Sequence, residues 1–229
     1  MTAWSIGPPG AYAPSARPAA ADAARRGGTA AVQHMLAVLA ALDPAAATRI
    51  RGSLPRLDST FGIGLALFLA TAAHGVREWL DQDIAAKLAS LDGGALLDEA
   101  DAALAAHLLQ DVDGRTWRIL HVPIDDEGDD RTLICASLMD EGLQTQNTVV
   151  FQITLRTLGP VQLSVAAGVR ELAVVLEMAA DLPAKLADEL QESFSEALKD
   201  SGLTGTLEIG HLGGAWVDLS DWPRVDTAV

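Results

Sequence analysis

One cysteine, Cys135, is all the chain has. Neither a disulfide framework nor a zinc site built on thiolates can be assembled from it. It stands in an apolar run, where a thiol is a buried, inert packing residue rather than a nucleophile. Aromatic residues make up only 4% of the 229 residues, so Leu, Val, Ile and Ala must supply the core. Positive charge is scarce too: 16 Lys and Arg face 31 Asp and Glu, a formal net charge of −15. A nucleic-acid binder needs a cationic face to displace counterions from phosphate, and an anionic membrane surface repels such a chain. Nucleic acid is therefore set aside as a partner. A basic patch on another protein is the better complement, although solubility alone also accounts for the charge.

Long apolar runs are missing as well. A bilayer-spanning helix needs roughly 20 apolar residues. The most apolar stretch, residues 61–73, is shorter, contains Gly62 and Gly64 and is bounded by His74. It reads as a buried helix, and no membrane insertion is expected. Residues 1–10 show no basic segment followed by an apolar one, so no cleaved secretory signal is expected.

The motifs of catalysis are absent in the same way. There is no Gly-x-Ser-x-Gly, no phosphate-cradling Gly-x-x-x-x-Gly-Lys and no Gly-x-Gly-x-x-Gly. Ser53 lies in a linker, and Gly62-Ile63-Gly64 lies inside an apolar helical stretch rather than between a strand and a helix. Asp81 and Asp83 are two apart, a spacing that does not bring carboxylates together on a helix. No two of His34, His74, His107, His121 and His211 stand at the three-to-five spacing of a helical zinc pair. The acidic run 125–130 invites a calcium reading, but a calcium loop needs Gly at its sixth position and Glu at its twelfth. Here Gly128 is fourth and Ala136 twelfth, so the run reads as a solvated hairpin tip. No catalytic, cofactor-binding or metal-ligating residue is assigned, no cofactor is expected, and the chain reads as non-enzymatic. A hydrolase would need a Ser or Cys brought beside a His and a carboxylate by the fold.

What is present is a globular composition, 49% hydrophobic and 21% charged. Residues 1–28, rich in Ala, Pro and Gly, show no apolar period and read as a disordered tail. Residues 29–112 form a helical region. Val32, Met35, Leu36 and Leu39 recur at helical spacing, with Thr29 as a plausible N-cap and Asp43-Pro44 as a stop. After a linker with Gly52, Pro55 and Ser59, a helix is expected from residue 61 to about 80, another over 84–91, and a third over 95–110.

From residue 115 the period changes from 3.6 to 2. Strands are expected at 117–122, ending at Pro123, then at 133–139, 149–155, 161–165 and 172–178. One amphipathic helix follows, with Leu182, Leu186, Leu190, Phe194 and Leu198 as its stripe, Asp181 as its cap and Gly202 as a left-handed stop. Short strands at 206–209 and 215–219 complete an α+β domain over 115–219, and 220–229 reads as a loose tail. Hairpins make most of the sheet antiparallel. The single stripe places the helix on one face, and the strand after it returns beside 172–178 as a crossover. Trp117 is expected in the core and Trp79 between the two halves. Trp216 reads as a closing core residue, and Trp222 is the more open question, since aromatics are enriched at interfaces.

The block Phe151-Gln152-Ile153-Thr154-Leu155-Arg156-Thr157-Leu158-Gly159-Pro160-Val161-Gln162-Leu163-Ser164-Val165, followed by a further strand, Leu182-Pro183-Ala184-Lys185-Leu186, a helix and Gly202-Leu203, resembles the C-terminal domain of flagellar hook-length control proteins. The apolar helix before Trp79-Leu80 and the Trp117-Arg118 strand extend the likeness loosely to residues 60–210. The resemblance implies a cytoplasmic protein handled, and in its family exported, by the flagellar type III apparatus. Its C-terminal domain contacts the cytoplasmic part of an export-gate membrane protein and switches export from hook-type to filament-type substrates. The contact surface it implies here is Leu158, Gly159, Pro160 and Val161. Two departures stand out. Residues 1–28 are far too short for a Pro/Gln/Ser-rich ruler, and Leu155 stands where many members carry Pro, with Pro160 after the Gly instead. A cytosolic scaffold that uses the same fold without export switching is the alternative.

Overall fold

The computed structural model describes residues 18–72, 74–92, 94–110, 114–126, 129–139 and 147–212. The fold is α+β. Six helices come first: α1 (Pro18–Leu42), α2 (Pro44–Arg51), α3 (Phe61–Ala72), α4 (Val76–Trp79), α5 (Gln82–Asp92) and α6 (Ala95–Leu104). The strands follow as β1 (His107–Gln110), β2 (Thr116–Asp126), β3 (Asp129–Met139), β4 (Asn147–Leu155), β5 (Gly159–Ala167) and β6 (Glu171–Met178). Helix α7 (Ala184–Ser201) then leads into β7 (Thr204–His211). Among the described residues these strands form one sheet in the order β1-β2-β3-β4-β5-β6-β7. Every neighbouring pair is antiparallel except β6 and β7, which run parallel across the α7 crossover.

Register decides which residues share a face. Directly opposed residues point the same way, so Val122, Leu133, Ile153, Val161, Met178 and His211 share one face with their alternate neighbours. On this first face, Val122, Ile124, Leu133 and Cys135 pack into one core with Val32, Met35, Leu36 and Leu39 of α1, Leu88 of α5 and Leu97 of α6. A smaller cluster, made of strand residues alone, lies on the second face: Leu109, Trp117, Ile119, Ile134, Ala136 and Val150. Trp117 is 2% exposed there, as its strand position led one to expect.

Several boundaries differ from the sequence reading, each for a physical reason. Helix α1 already begins at Pro18, so residues 18–28 are helical rather than tail. Their alanines favour helix, and Pro is tolerated at a first helical position. Residues 1–17 lie outside the described residues. The stretch expected as one helix over 61–80 is two, because Gly75 adopts φ 99° and α4 starts afresh. Asp101 of α6 caps that new start, accepting from the Val76 N–H at 2.6 Å.

The helix expected over 95–110 stops at Leu104, and residues 107–110 pair with β2 instead. Leu108 suited either period, and the ladder won. Strand β2 runs through Pro123 rather than ending there. Its odd residues point their backbone groups toward β1, which ends opposite Ile119. Beyond that point they face outward, so the missing Pro123 N–H leaves no acceptor stranded. Two residues on, the Asp125 N–H is met by the Pro55 carbonyl at 2.9 Å. Asp181 does not cap α7: Pro183 occupies the N-cap in extended geometry without a side-chain bond. Gly202 is left-handed, φ 64°, as its position at the helix end demands. The strand expected at 215–219 and the tail 220–229, with Trp216 and Trp222, lie outside the described residues.

Trp79 packs edge-on against Phe68, with ring centroids 5.5 Å apart, and donates from Nε1 to the Ser53 hydroxyl at 3.0 Å. It locks the helical layer rather than wedging between two halves. Helix α3 is two-sided: Leu65 and Phe68 enter the core, whereas Ile63 is 69% and Leu67 64% exposed. The stretch expected to be buried is therefore buried along one side only.

The packing predicts unequal costs for the same truncation. Leu36→Ala, at a fully buried α1 position, should lower unfolding free energy by about 2–5 kcal/mol. Leu186→Ala, on α7 at 40% exposure, should cost under about 1 kcal/mol. Urea denaturation followed by circular dichroism compares the two.

Candidate functional site

The residues singled out by resemblance meet at the β4–β5 corner. Leu155 pairs with Gly159, leaving Arg156, Thr157 and Leu158 as the turn. The turn closes on Gly159 in the left-handed region, φ 69°, which glycine adopts without steric cost. The ideal Cβ position of Gly159 lies 3.7 Å from the Ala179 Cβ, so the corner sits close against the chain leaving β6. The Ala179 N–H donates to the Pro160 carbonyl at 3.0 Å, carrying the β5–β6 ladder one step past Val161 and Met178. Pro160 is exposed; Leu158, Gly159 and Val161 are half-buried. All four are thus brought together at one end of the sheet. His211 of β7 lies at the same end, paired with Met178, its Nδ1 3.9 Å from the Asp181 carboxylate.

The other candidates are held in structural roles. The Asp125 carboxylate accepts from Arg56 Nε at 3.0 Å and Nη2 at 2.9 Å, and Asp126 lies 3.2 Å from Arg131. These acids anchor the linker and the hairpin rather than converging on a cation. Asp81 lies 3.7 Å from Arg49. Ser53 accepts from Trp79 and donates to the Ile50 carbonyl at 2.7 Å. His34 and His74 are exposed. His107 and His121, far apart in sequence, come within 6.1 Å between ring centroids because β1 folds back on β2. Among the described residues no group of three or more His, Cys, Asp or Glu could hold a metal ion. No described helix is long and apolar enough to cross a membrane.

Sequence reasoning missed a polar ladder on the second face. Gln152 donates to Gln162 at 2.9 Å, and Gln162 donates to Glu177 at 3.0 Å. Gln162 is only 2% exposed, so both ends of its amide need these partners. The signal was available: a Gln or Glu at matching registers of three successive strands. Also unforeseen was Gln191 of α7, whose amide donates to the Leu207 carbonyl at 2.7 Å. Even-numbered residues of β7 bond to β6, as the Thr204 and Leu212 N–H groups do. The Leu207 carbonyl therefore points away from β6, to what is the sheet's edge among the described residues, and Gln191 covers it.

The Cys135 thiol, facing the helices, is pushed up to about 11 by burial. No protein-family model, no curated protein and no solved structure matches the chain.

Two measurements follow. Gly159→Ala places a Cβ on a left-handed residue and should destabilise by about 1 kcal/mol, read as a shifted urea midpoint. The raised thiol makes the folded state hold its proton where the unfolded chain has lost it. Its contribution is intact below the ordinary thiol value near 9 and is lost as pH rises toward 11. Unfolding midpoints measured from pH 8 to 11 should fall less steeply for Cys135→Ala than for the parent.

Proposed function

We propose that this chain is a non-enzymatic interaction protein that regulates type III flagellar export, through contact of its C-terminal domain with the cytoplasmic part of an export-gate protein. The observation that carries the reading is the element order over residues 147–211. A strand, a Leu-Gly corner, two strands, one amphipathic helix closed by a left-handed Gly and a final strand follow the order of the hook-length control domain. The proposed contact is the corner Leu158, Gly159, Pro160 and Val161. Its exposed proline and half-buried flanks offer a preformed surface that loses little entropy on binding. Switching then needs only differential affinity: the domain binds one conformation of the gate more tightly and shifts its population.

The decisive experiment is deletion of the gene, with hook length and exported filament protein read together. Over-long hooks with little filament are the expected result, and Leu158→Asp should reproduce them while the purified variant keeps the parent's circular dichroism spectrum. Normal hooks and filaments would remove the export reading and leave the scaffold reading in its place.

A further inference from the structure

Helix α7 carries a five-residue apolar stripe, yet none of its residues is buried. It packs along β7. The helices α1 and α6 pack on β2, and α1 also on β3. Between these covers, the first face of β5 presents Val161, Leu163 and Val165, all half-buried and part of neither packed core. Beside them Phe151 and Ile153 of β4 are half-buried and pack against the first core, forming the margin of the strip. The strip from β4 to β6 is ~10 Å wide at ordinary strand spacing, about the diameter of one helix.

Acidic side chains gather on the α7 side of this strip. Gln191 reaches the outer edge of β7, which fixes the rotation of α7 about its axis. On the opposite flank, turned toward β5, lie Glu189, Glu196 and Asp200. All three are exposed, and Lys185, 3.5 Å from Glu189, is the one base paired with them among the described residues. An unsealed apolar floor beside an acidic wall complements an amphipathic helix with a basic flank.

We propose that the cleft between α7 and the helical layer, floored by β5, binds a basic amphipathic helix of a partner protein. The inference goes beyond the export reading: it concerns the partner's chemistry and stands whether or not the partner belongs to an export apparatus.

The test uses the full chain and a synthetic amphipathic helix of leucine and lysine, with its leucine–glutamate counterpart as control, measured by calorimetry at low salt. Binding of the basic peptide alone is expected. Replacing Glu189, Glu196 and Asp200 by their amides should weaken it about tenfold. The same change of charge at Glu78, Asp83 and Glu99, exposed acids of the helical layer, should leave it nearly unchanged. Leu163→Thr, which keeps a strand-forming side chain, should also weaken binding. Equal losses from the two amide sets would mean unspecific attraction to an acidic protein and overturn the proposal, as would no binding at all. Sedimentation of the free chain as a dimer that the peptide breaks apart would give the cleft to a second copy and overturn it too.

Discussion

The structure depends on one constraint: the register that sends alternate residues of β2 to β7 to the same face. A slip by a single residue would turn Val122, Ile124, Leu133 and Cys135 away from the helices and bring His121, Asp125 and Thr132 round to face their core. With the register in place, α1 has an apolar floor, α6 joins it, and Trp79 closes the layer above. The β4–β5 corner inherits its position from the same ladder, since the pairing of Leu155 with Gly159 is the last step of a continuous register from Asn147 and Ala167.

Packing is uneven across this single sheet. At the β2–β3 end, two-sided burial leaves Trp117, Ile119, Val122 and Ile124 at 2% exposure or less. At the β5–β7 end the apolar residues are mostly half-buried, and α7 leans on the edge strand without sealing it. Local opening has its lowest cost where few apolar groups are buried. The region that carries the corner and the acidic flank of α7 is therefore also the region best able to adjust its side chains to a partner. Rigid support and adaptable surface are built from one sheet, separated by two strands.

Much of the fold was legible because two periods were clean. The alternation from Val149 to Leu155 and the stripe of α7 named their elements and the α+β class, and Gly202 named a helix end. What was not legible depended on partners distant in sequence. Leu108 fits helix and strand alike until β2 lies beside it. Pro123 ends a strand by local rules, yet the short reach of β1 frees its nitrogen. Asp181 sits where a cap belongs, but the extended Pro183 moves the helix start beyond its reach. Of the candidate site, the turn and its glycine could be read from Leu158-Gly159. The closeness of Ala179 and His211 could not, because both arrive through β6 and the crossover.

The strand order has a consequence for how the molecule forms. Neighbours in the sheet from β1 to β6 are neighbours in sequence, so each pairing closes a short loop and the sheet can grow by successive hairpins. The parallel β6–β7 pair is different. It must wait for α7 to form and swing across before Thr204 can meet the Arg170 carbonyl. During synthesis the hairpin sheet can assemble while its last strand is still being made, and until β7 docks, β6 is a bare edge with every outward amide unmet. The segment that follows β6 is thus the timing element of the fold: the time taken to make α7 and β7 and dock the strand, far longer than a helix needs to wind, sets how long that edge stays open to other chains.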